Sequence, residues 1–219
     1  MGMFNLDPAT IISRILILVI AFTIHEFAHA WTATMFGDDT PRINGRLTLN
    51  PISHLDPMGS LLLLVAGFGW AKPVPVNPYA LSRRSSAALM WVSLAGPLSN
   101  LILAALAAIP FRVGLISAYN AFLPNESILP TQEQFLYEFV YINLILFFFN
   151  LLPVAPLDGE KILLYFLPPS AARTYESFRP YGPIILMIVV FAAPFLGINI
   201  LGRILGPPMD FMMSLLVGI

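Results

Sequence analysis

The feature that most constrains this chain is a set of apolar stretches that approach or exceed the length of a bilayer-crossing helix. Such a helix needs about 20 predominantly apolar residues. Four stretches qualify, at about residues 8–36, 87–111, 135–152 and 183–205. Only 11% of the residues are charged, against roughly 25% in an average soluble domain. The chain is therefore predicted to be an all-α polytopic membrane protein, with residues 1–219 forming one membrane-embedded domain.

The segments between these stretches predict three shorter features. The sequence "RINGRLTLN", residues 42–50, alternates and contains an Asn-Gly turn signal, which predicts a small β-hairpin or strand. Residues 58–69 are apolar but too short to span, so we expect a re-entrant element there. The prolines of "GWAKPVPVNPYA" favour extended backbone. Near the C-terminus, "GPPMD" is expected to interrupt the last apolar stretch.

Composition and the N-terminal sequence exclude several other classes. The chain has no cysteine, which excludes disulfide frameworks, thiolate zinc sites and cysteine nucleophiles. A formal net charge of −1 argues against nucleic acid as a partner. The N-terminal residues lack the basic region and small-residue cleavage site of a signal peptide. The first apolar stretch is therefore expected to remain as a helix.

The basic residues predict an orientation in the membrane. Lysine and arginine concentrate in cytoplasmic loops. If residues 58–69 are re-entrant, all three basic connections lie on one side, which would be the cytoplasmic side, with the N-terminus opposite. These connections contain Arg42 and Arg46; Lys72, Arg83 and Arg84; and Lys161, Arg173 and Arg179.

The stretch "VIAFTIHEFAHAWTATMFG", residues 19–37, places ionisable side chains within an apolar helix. His25 and His29 are four residues apart, so a helix brings them to one face, where two imidazoles can bind one Zn²⁺. Glu26 has the position of the general base in an H-E-x-x-H motif. Ionisable residues at membrane depth are costly and are usually functional. The pattern therefore predicts a zinc site rather than simple helix pairing.

A catalytic zinc needs a third protein ligand and one open position. Asp158, in "NLLPVAPLDGEK", follows an apolar helix in a segment broken by Pro153 and Pro156. The following Gly159 allows a turn that presents the carboxylate inward, on the same side of the membrane as the end of the first helix. Asp158 is the predicted third ligand, and the alternative is that it caps the helix that follows it.

Together these motifs resemble the site-2 protease family of intramembrane zinc metalloproteases. The matching segments are "HEFAH", "GWAKPVPVNP", "AGPLSN" and "NLLPVAPLDG", in the family's order. The resemblance implies one Zn²⁺ held by His25, His29 and Asp158, with Glu26 as catalytic base and cleavage of peptide bonds within or near the membrane. The sequence resembles a minimal membrane core of the family, and we expect neither the PDZ insertion nor the CBS domain of larger members.

Three further polar residues have roles that the sequence leaves open. Asn150 is favoured to bind the substrate backbone or the oxyanion, and the alternative is an interhelical hydrogen bond. Asn100 could brace the metal-binding helix or touch substrate. His54 could be a fourth or regulatory ligand, a proton donor, or a loop residue bonded to nearby backbone.

Two other functions would use the same residues. A membrane-anchored HExxH protease acting on soluble substrates commonly takes its third ligand from a glutamate on a following helix, and no such pattern stands out here. A metal transporter or scaffold would stage ligand pairs along a path, whereas this sequence has one cluster. Under the family resemblance we expect a location in the bacterial cytoplasmic membrane. The expected partners are the lipid bilayer and, as substrates, single-pass membrane proteins or signal-peptide remnants.

Overall fold

Long helices form the body of the molecule in the computed structural model, which describes residues 7–56, 59 and 70–218. Short 3₁₀ helices lie at Pro51–Ser53, Ala118–Phe122 and Arg179–Tyr181, and a π-helical turn at Ile188–Ala192 joins α8 to α9. The α-helices are α1 (Pro8–Met35), α2 (Thr40–Ile43), α3 (Pro78–Arg84), α4 (Ala88–Arg112), α5 (Gln132–Asn150), α6 (Asp158–Phe166), α7 (Pro169–Phe178), α8 (Gly182–Met187), α9 (Ala193–Phe195) and α10 (Ile200–Val217).

Four helical stretches of the described residues are long and apolar enough to cross a membrane. They are Pro8–Met35, Ala88–Arg112, Pro169–Phe195 and Ile200–Val217. The predicted all-α polytopic class and the predicted number of about four spans are therefore confirmed. The first two stretches agree closely with the predicted bounds.

The other two spans differ from the prediction. Helix α5 replaces the expected span at 135–152, but it begins earlier and takes in Gln132, Glu133 and Gln134, and it is not among the four candidate spans. The stretch at 183–205 is divided between two helices by the turn at residues 196–199. The Pro-Pro pair of "GPPMD" lies inside α10, so the expected interruption there is wrong.

The predicted β-hairpin is also wrong, because no strand occurs in the described part of the chain, where only an isolated bridge pairs Leu55 with Ala71. The Asn-Gly signal does form a turn, but it ends the short helix α2, with Gly45 at φ +65°. Burial also departs from strand alternation: Arg46 is buried and Leu49 is exposed. The expected re-entrant element at 58–69 lies, except for Gly59, outside the described residues.

The helices that carry the polar motifs are fixed by close packing. Small residues let helix backbones approach one another, and fully buried Ala33 of α1 packs with Ala88 and Val92 of α4. A larger core forms where α4, α5 and α10 meet. Its buried members are Ala104, Ala108, Phe111, Ala118, Val140, Leu144, Met209, Met213 and Val217. This packing holds α1, α4 and α5 together around their polar side chains.

Candidate metal centre

Three potential ligand atoms converge at the C-terminal half of α1. The Nε2 atoms of His25 and His29 are 3.0 Å apart. Asp158 Oδ2 lies 3.2 Å from each of them. All three side chains are buried, and they form the one group of three such residues that could hold a metal ion in the described part of the chain. His25 and Asp158 are 133 positions apart in the sequence, so the fold brings distant segments together here.

Hydrogen bonds to the other ring nitrogens orient both imidazoles. His29 Nδ1 lies 2.6 Å from the backbone carbonyl oxygen of Val92. His25 Nδ1 lies 2.6 Å from the side-chain oxygen of Asn100. Because both of these oxygens can only accept, each ring carries a proton on Nδ1, and in the neutral imidazole Nε2 keeps a lone pair. Both lone pairs are therefore directed into the same small volume, as metal ligands require.

The loop that carries Asp158 is shaped by a close backbone approach. A Cβ on Gly159 would collide with the backbone oxygens of Leu151 and Leu152. Asp158 is the first residue of α6, and the N-cap residue is Leu157, which makes no side-chain capping bond. Asp158 therefore points to the histidine pair and is not the cap of α6. Its other oxygen lies 3.7 Å from Lys161 Nζ.

The geometry fits a metal ion. Ligands placed tetrahedrally at about 2.0–2.1 Å from zinc lie about 3.3 Å from one another, close to the observed 3.0 and 3.2 Å. Gly96 of α4 faces the same volume, and a Cβ there would collide with Nε2 of His25 and of His29. The glycine thus keeps open the space that an ion and its fourth ligand need.

One face of α4 supplies three different parts of this centre. Val92, Gly96 and Asn100 follow at four-residue intervals, so they lie on one side of the helix. Val92 contributes a carbonyl oxygen, Gly96 contributes space, and Asn100 contributes an amide oxygen. The "AGPLSN" motif predicted close packing here, but it gave no indication of the part played by the Val92 carbonyl.

The charge state of Asp158 suits metal binding. Burial by itself opposes ionisation of a carboxyl group. The imidazoles of His29 and His25 beside the carboxyl group outweigh that effect and hold the pKa of Asp158 below its usual range. Asp158 is therefore a carboxylate, the form in which an aspartate binds a metal ion.

Glu26 is buried next to the histidines and contacts an extended segment. Its Oε2 accepts a hydrogen bond from the Val74 backbone amide at 3.1 Å. The segment is held at both ends: buried Arg46 donates to the carbonyl oxygens of Lys72 and Pro73 at 3.1 and 3.0 Å. The Asn77 backbone amide donates to Asp38 Oδ2 at 2.6 Å. The general-base candidate thus borders an irregular backbone segment at residues 72–77.

The remaining predicted residues lie in different surroundings. Asn100 contacts His25, which agrees with the bracing alternative. Asn150 ends α5, and its amide donates to the Leu146 carbonyl at 3.0 Å. His54 is fully buried with Nε2 2.8 Å from the Thr48 carbonyl. It is not part of the convergent group, so its surroundings match the loop alternative.

Sequence analysis missed Asn143. Its side-chain oxygen accepts from the Asn100 amide at 3.0 Å, and it is fully buried in α5. The available signal was an asparagine in the middle of the apolar run "FVYINLILFFF".

Comparison with known proteins agrees with this geometry. "Putative zinc metalloprotease YwhC" of Bacillus subtilis is 42% identical over 216 residues, covering 98% of this chain and 96% of that protein. The model of peptidase family M50 matches residues 112–193, which include Asp158. The chain belongs to this family, the site-2 proteases. The family resemblance inferred from the motifs is thereby confirmed.

More distant relatives in the family extend the same similarity. "Putative zinc metalloprotease Rip2" of Mycolicibacterium smegmatis is 34% identical over 187 residues, covering 80% of this chain and 67% of that protein. Rip2 of Mycobacterium tuberculosis strain H37Rv is 33% identical, covering 80% and 65% respectively. No solved structure matches the chain significantly. The expectation of zinc as cofactor agrees with these names and with the His25, His29 and Asp158 group.

Proposed function

We propose that this protein is an intramembrane zinc endopeptidase that hydrolyses peptide bonds within or near transmembrane segments of its substrates. The observation that carries the proposal is the convergence of His25 Nε2, His29 Nε2 and Asp158 Oδ2 within 3.2 Å of one another. Glu26 lies on the same helix beside His25. Three protein ligands with an adjacent carboxylate are the composition of a hydrolytic zinc site.

The chemistry divides between the metal and the protein. When bound, zinc polarises the scissile carbonyl and acidifies water. His25, His29 and Asp158 would hold the ion. Glu26 takes the proton from the attacking water at its carboxylate and passes it to the nitrogen of the leaving amine. The Asn150 amide, at the end of α5, is a candidate to bind the substrate backbone or the developing oxyanion.

A transmembrane substrate must unwind before cleavage, because helical carbonyl groups are hydrogen-bonded. The segment at residues 72–77 is suited to receive the unwound chain. Its prolines disfavour helical backbone in the preceding residues, Arg46 and Asp38 anchor it, and Val74 contacts Glu26. Pairing of the substrate with this backbone by β-augmentation would present an extended peptide beside the base. The absence of native cysteine allows single-cysteine cross-linking from Val76 to a substrate as a test.

The substrates we propose are single-pass membrane proteins or signal-peptide remnants. Four candidate spans imply a bilayer around the protein, and the positions of basic residues favour a cytoplasmic-side active site in a bacterial cytoplasmic membrane. A membrane-anchored protease that acts on soluble substrates would cleave a soluble peptide as efficiently as a membrane-inserted one. An intramembrane protease would prefer the membrane-inserted peptide, so a comparison of the two peptides distinguishes the two functions.

The deciding experiment replaces Glu26 by glutamine in the purified protein reconstituted in lipid. We expect Glu26→Gln to keep its zinc and to lower kcat/KM toward a membrane-inserted peptide by about 10³-fold, because the amide cannot take a proton. The matched control is Glu176→Gln, at an exposed glutamate of α7. Undiminished cleavage by Glu26→Gln would contradict the proposal. Zinc flux across vesicles that survives Glu26→Gln would instead support a transporter.

A further inference from the structure

A chain of two buried amides connects His25 to the backbone of α5. His25 Nδ1 lies 2.6 Å from Asn100 Oδ1. Asn100 Nδ2 donates to Asn143 Oδ1 at 3.0 Å, and Asn143 Nδ2 donates to the Phe139 carbonyl oxygen at 2.9 Å. Both asparagine side chains are fully buried. This series of hydrogen bonds thus connects three helices, from α1 through α4 to α5.

The direction of every hydrogen bond in this chain follows from its last member. A backbone carbonyl can only accept, so the Asn143 NH₂ group must face Phe139. Asn143 then presents its oxygen to Asn100, whose NH₂ group must face it. Asn100 in turn presents its oxygen to His25. Amide orientations are often ambiguous in isolation, but a chain that ends on a carbonyl leaves one assignment.

The consequence for His25 is a fixed tautomer. Because Asn100 Oδ1 can only accept, His25 must carry its proton on Nδ1 and keep its lone pair on Nε2. His29 reaches the same state directly, since its Nδ1 faces the Val92 carbonyl at 2.6 Å. Both metal-ligand imidazoles are therefore oriented by a backbone carbonyl, one directly and the other through two neutral amides.

We propose that Asn143 is a positioning residue for the zinc site: it sets the tautomer and ring orientation of His25 through Asn100, without touching metal or substrate. This rests on the metal-dependent function proposed above. Neutral amides perform the task without adding a buried charge, which a carboxylate partner would add at a desolvation cost. Loss of an outer hydrogen-bond partner of a metal-binding histidine typically lowers metal affinity by 10–100-fold.

The test compares Asn143→Leu, Asn100→Leu and the double variant by competition of the purified protein with a zinc chelator. We expect each single variant to weaken zinc binding by about 10–100-fold. The double variant should bind zinc no more weakly than the single variant with the lower zinc affinity, because both asparagines belong to one series of hydrogen bonds. The matched control is Gln134→Leu, which removes another buried interhelical amide of α5, one that bonds Thr10. It should leave zinc affinity unchanged.

A second measurement needs no variant in the chain of amides. The protein has three histidines, so ¹⁵N-histidine NMR of the metal-free protein is tractable, with His29→Gln and His54→Gln assigning the signals. We expect His25 to be protonated on Nδ1. A His25 ring without a proton on Nδ1, wild-type zinc affinity in Asn143→Leu, additive losses, or an equal loss in Gln134→Leu would each overturn the proposal. If the wild-type protein binds no zinc, the proposed function fails, while the tautomer measurement still decides this inference.

Discussion

Helix α1 carries buried polar side chains at two places, and the comparison shows what distinguishes a reactive site from a structural one. At the His25 end, His25, Glu26 and His29 lie near Asp158. At the Arg14 end, about 16 Å away along the helix, Arg14 Nε lies 3.6 Å from Glu138 Oε1. Both ends place ionisable groups within an apolar bundle.

The difference lies in where lone pairs and charges are directed. At the Arg14 end, groups of opposite character face one another: arginine faces glutamate, and the Gln134 amide donates to the Thr10 hydroxyl at 3.1 Å. At the His25 end, three acceptor atoms face one another around a space kept open by Gly96. The lone pairs of these three atoms repel one another, so the arrangement is stable only with a cation or a proton among them. Convergence of acceptors, rather than burial of charge alone, therefore marks the site.

The largest contrast between the two ends is expected in metal content. His29→Leu removes one of three ligands and should weaken zinc binding on the order of 10³-fold. Glu138→Gln alters the Arg14 end by the loss of one charge and should leave zinc content unchanged. Metal analysis of both purified variants checks this. Zinc loss from Glu138→Gln would mean that the two ends are not independent.

The space at the His25 end can be tested without removing any ligand. Gly96→Ala should reduce zinc affinity by more than about 100-fold, because the new methyl group would overlap both Nε2 positions. Gly206→Ala in α10 is the matched control, since nothing lies within 4 Å of a Cβ at that position. Chelator competition measures both variants. Normal zinc binding by Gly96→Ala would show that α4 lies further from the ion than the structure indicates.

A smaller effect is expected from the anchor of the extended segment. Arg46→Ala should lower kcat/KM by about 10–100-fold through misplacement of residues 72–77, while zinc affinity stays the same. Arg42→Ala is the control, because Arg42 is exposed and its ion pair with Asp39 contributes little. Kinetics on a membrane-inserted peptide distinguish the two. A loss of zinc from Arg46→Ala would assign that residue to the metal site instead.

The smallest effect belongs to the Arg14 end. Thr10→Val keeps the side-chain shape but removes the acceptor of the Gln134 hydrogen bond and the hydroxyl that donates to Asp7 Oδ2 at 2.6 Å. Interhelical hydrogen bonds average about 0.6 kcal/mol, so we expect a small loss in the free energy of unfolding. Activity should stay within about two-fold of wild type. A loss of activity like that of Arg46→Ala would make the Arg14 end part of the catalytic machinery.

Sequence reasoning reached the parts of the centre that local spacing determines. The four-residue separation of His25 and His29 follows from helical geometry. The turn at Asp158 follows from nearby proline and glycine. The sequence could not predict the role of the Val92 carbonyl, because a backbone group has no signature in the sequence. Sequence reasoning also did not connect Asn143 of α5 with Asn100 of α4.

The errors in the fold have similar physical causes. The Asn-Gly turn at residues 44–45 is compatible with both a hairpin and a helix end. Pro41, in the first turn of α2, favours a short helix before this Asn-Gly turn. Arg46 breaks the alternation because its guanidinium group finds three carbonyl partners inside. In the C-terminal region, hydropathy does not reveal that the turn falls at residues 196–199 rather than at the Pro-Pro pair.

The central claim is that His25, His29 and Asp158 hold one zinc ion together. Zinc stoichiometry and X-ray absorption of the purified protein, with and without Asp158→Ala, test it most directly. We expect one zinc per chain with two imidazole nitrogens and carboxylate oxygen in its coordination shell, and a large loss of affinity in the variant. Full zinc affinity in Asp158→Ala, with the same coordination spectrum, would contradict the account.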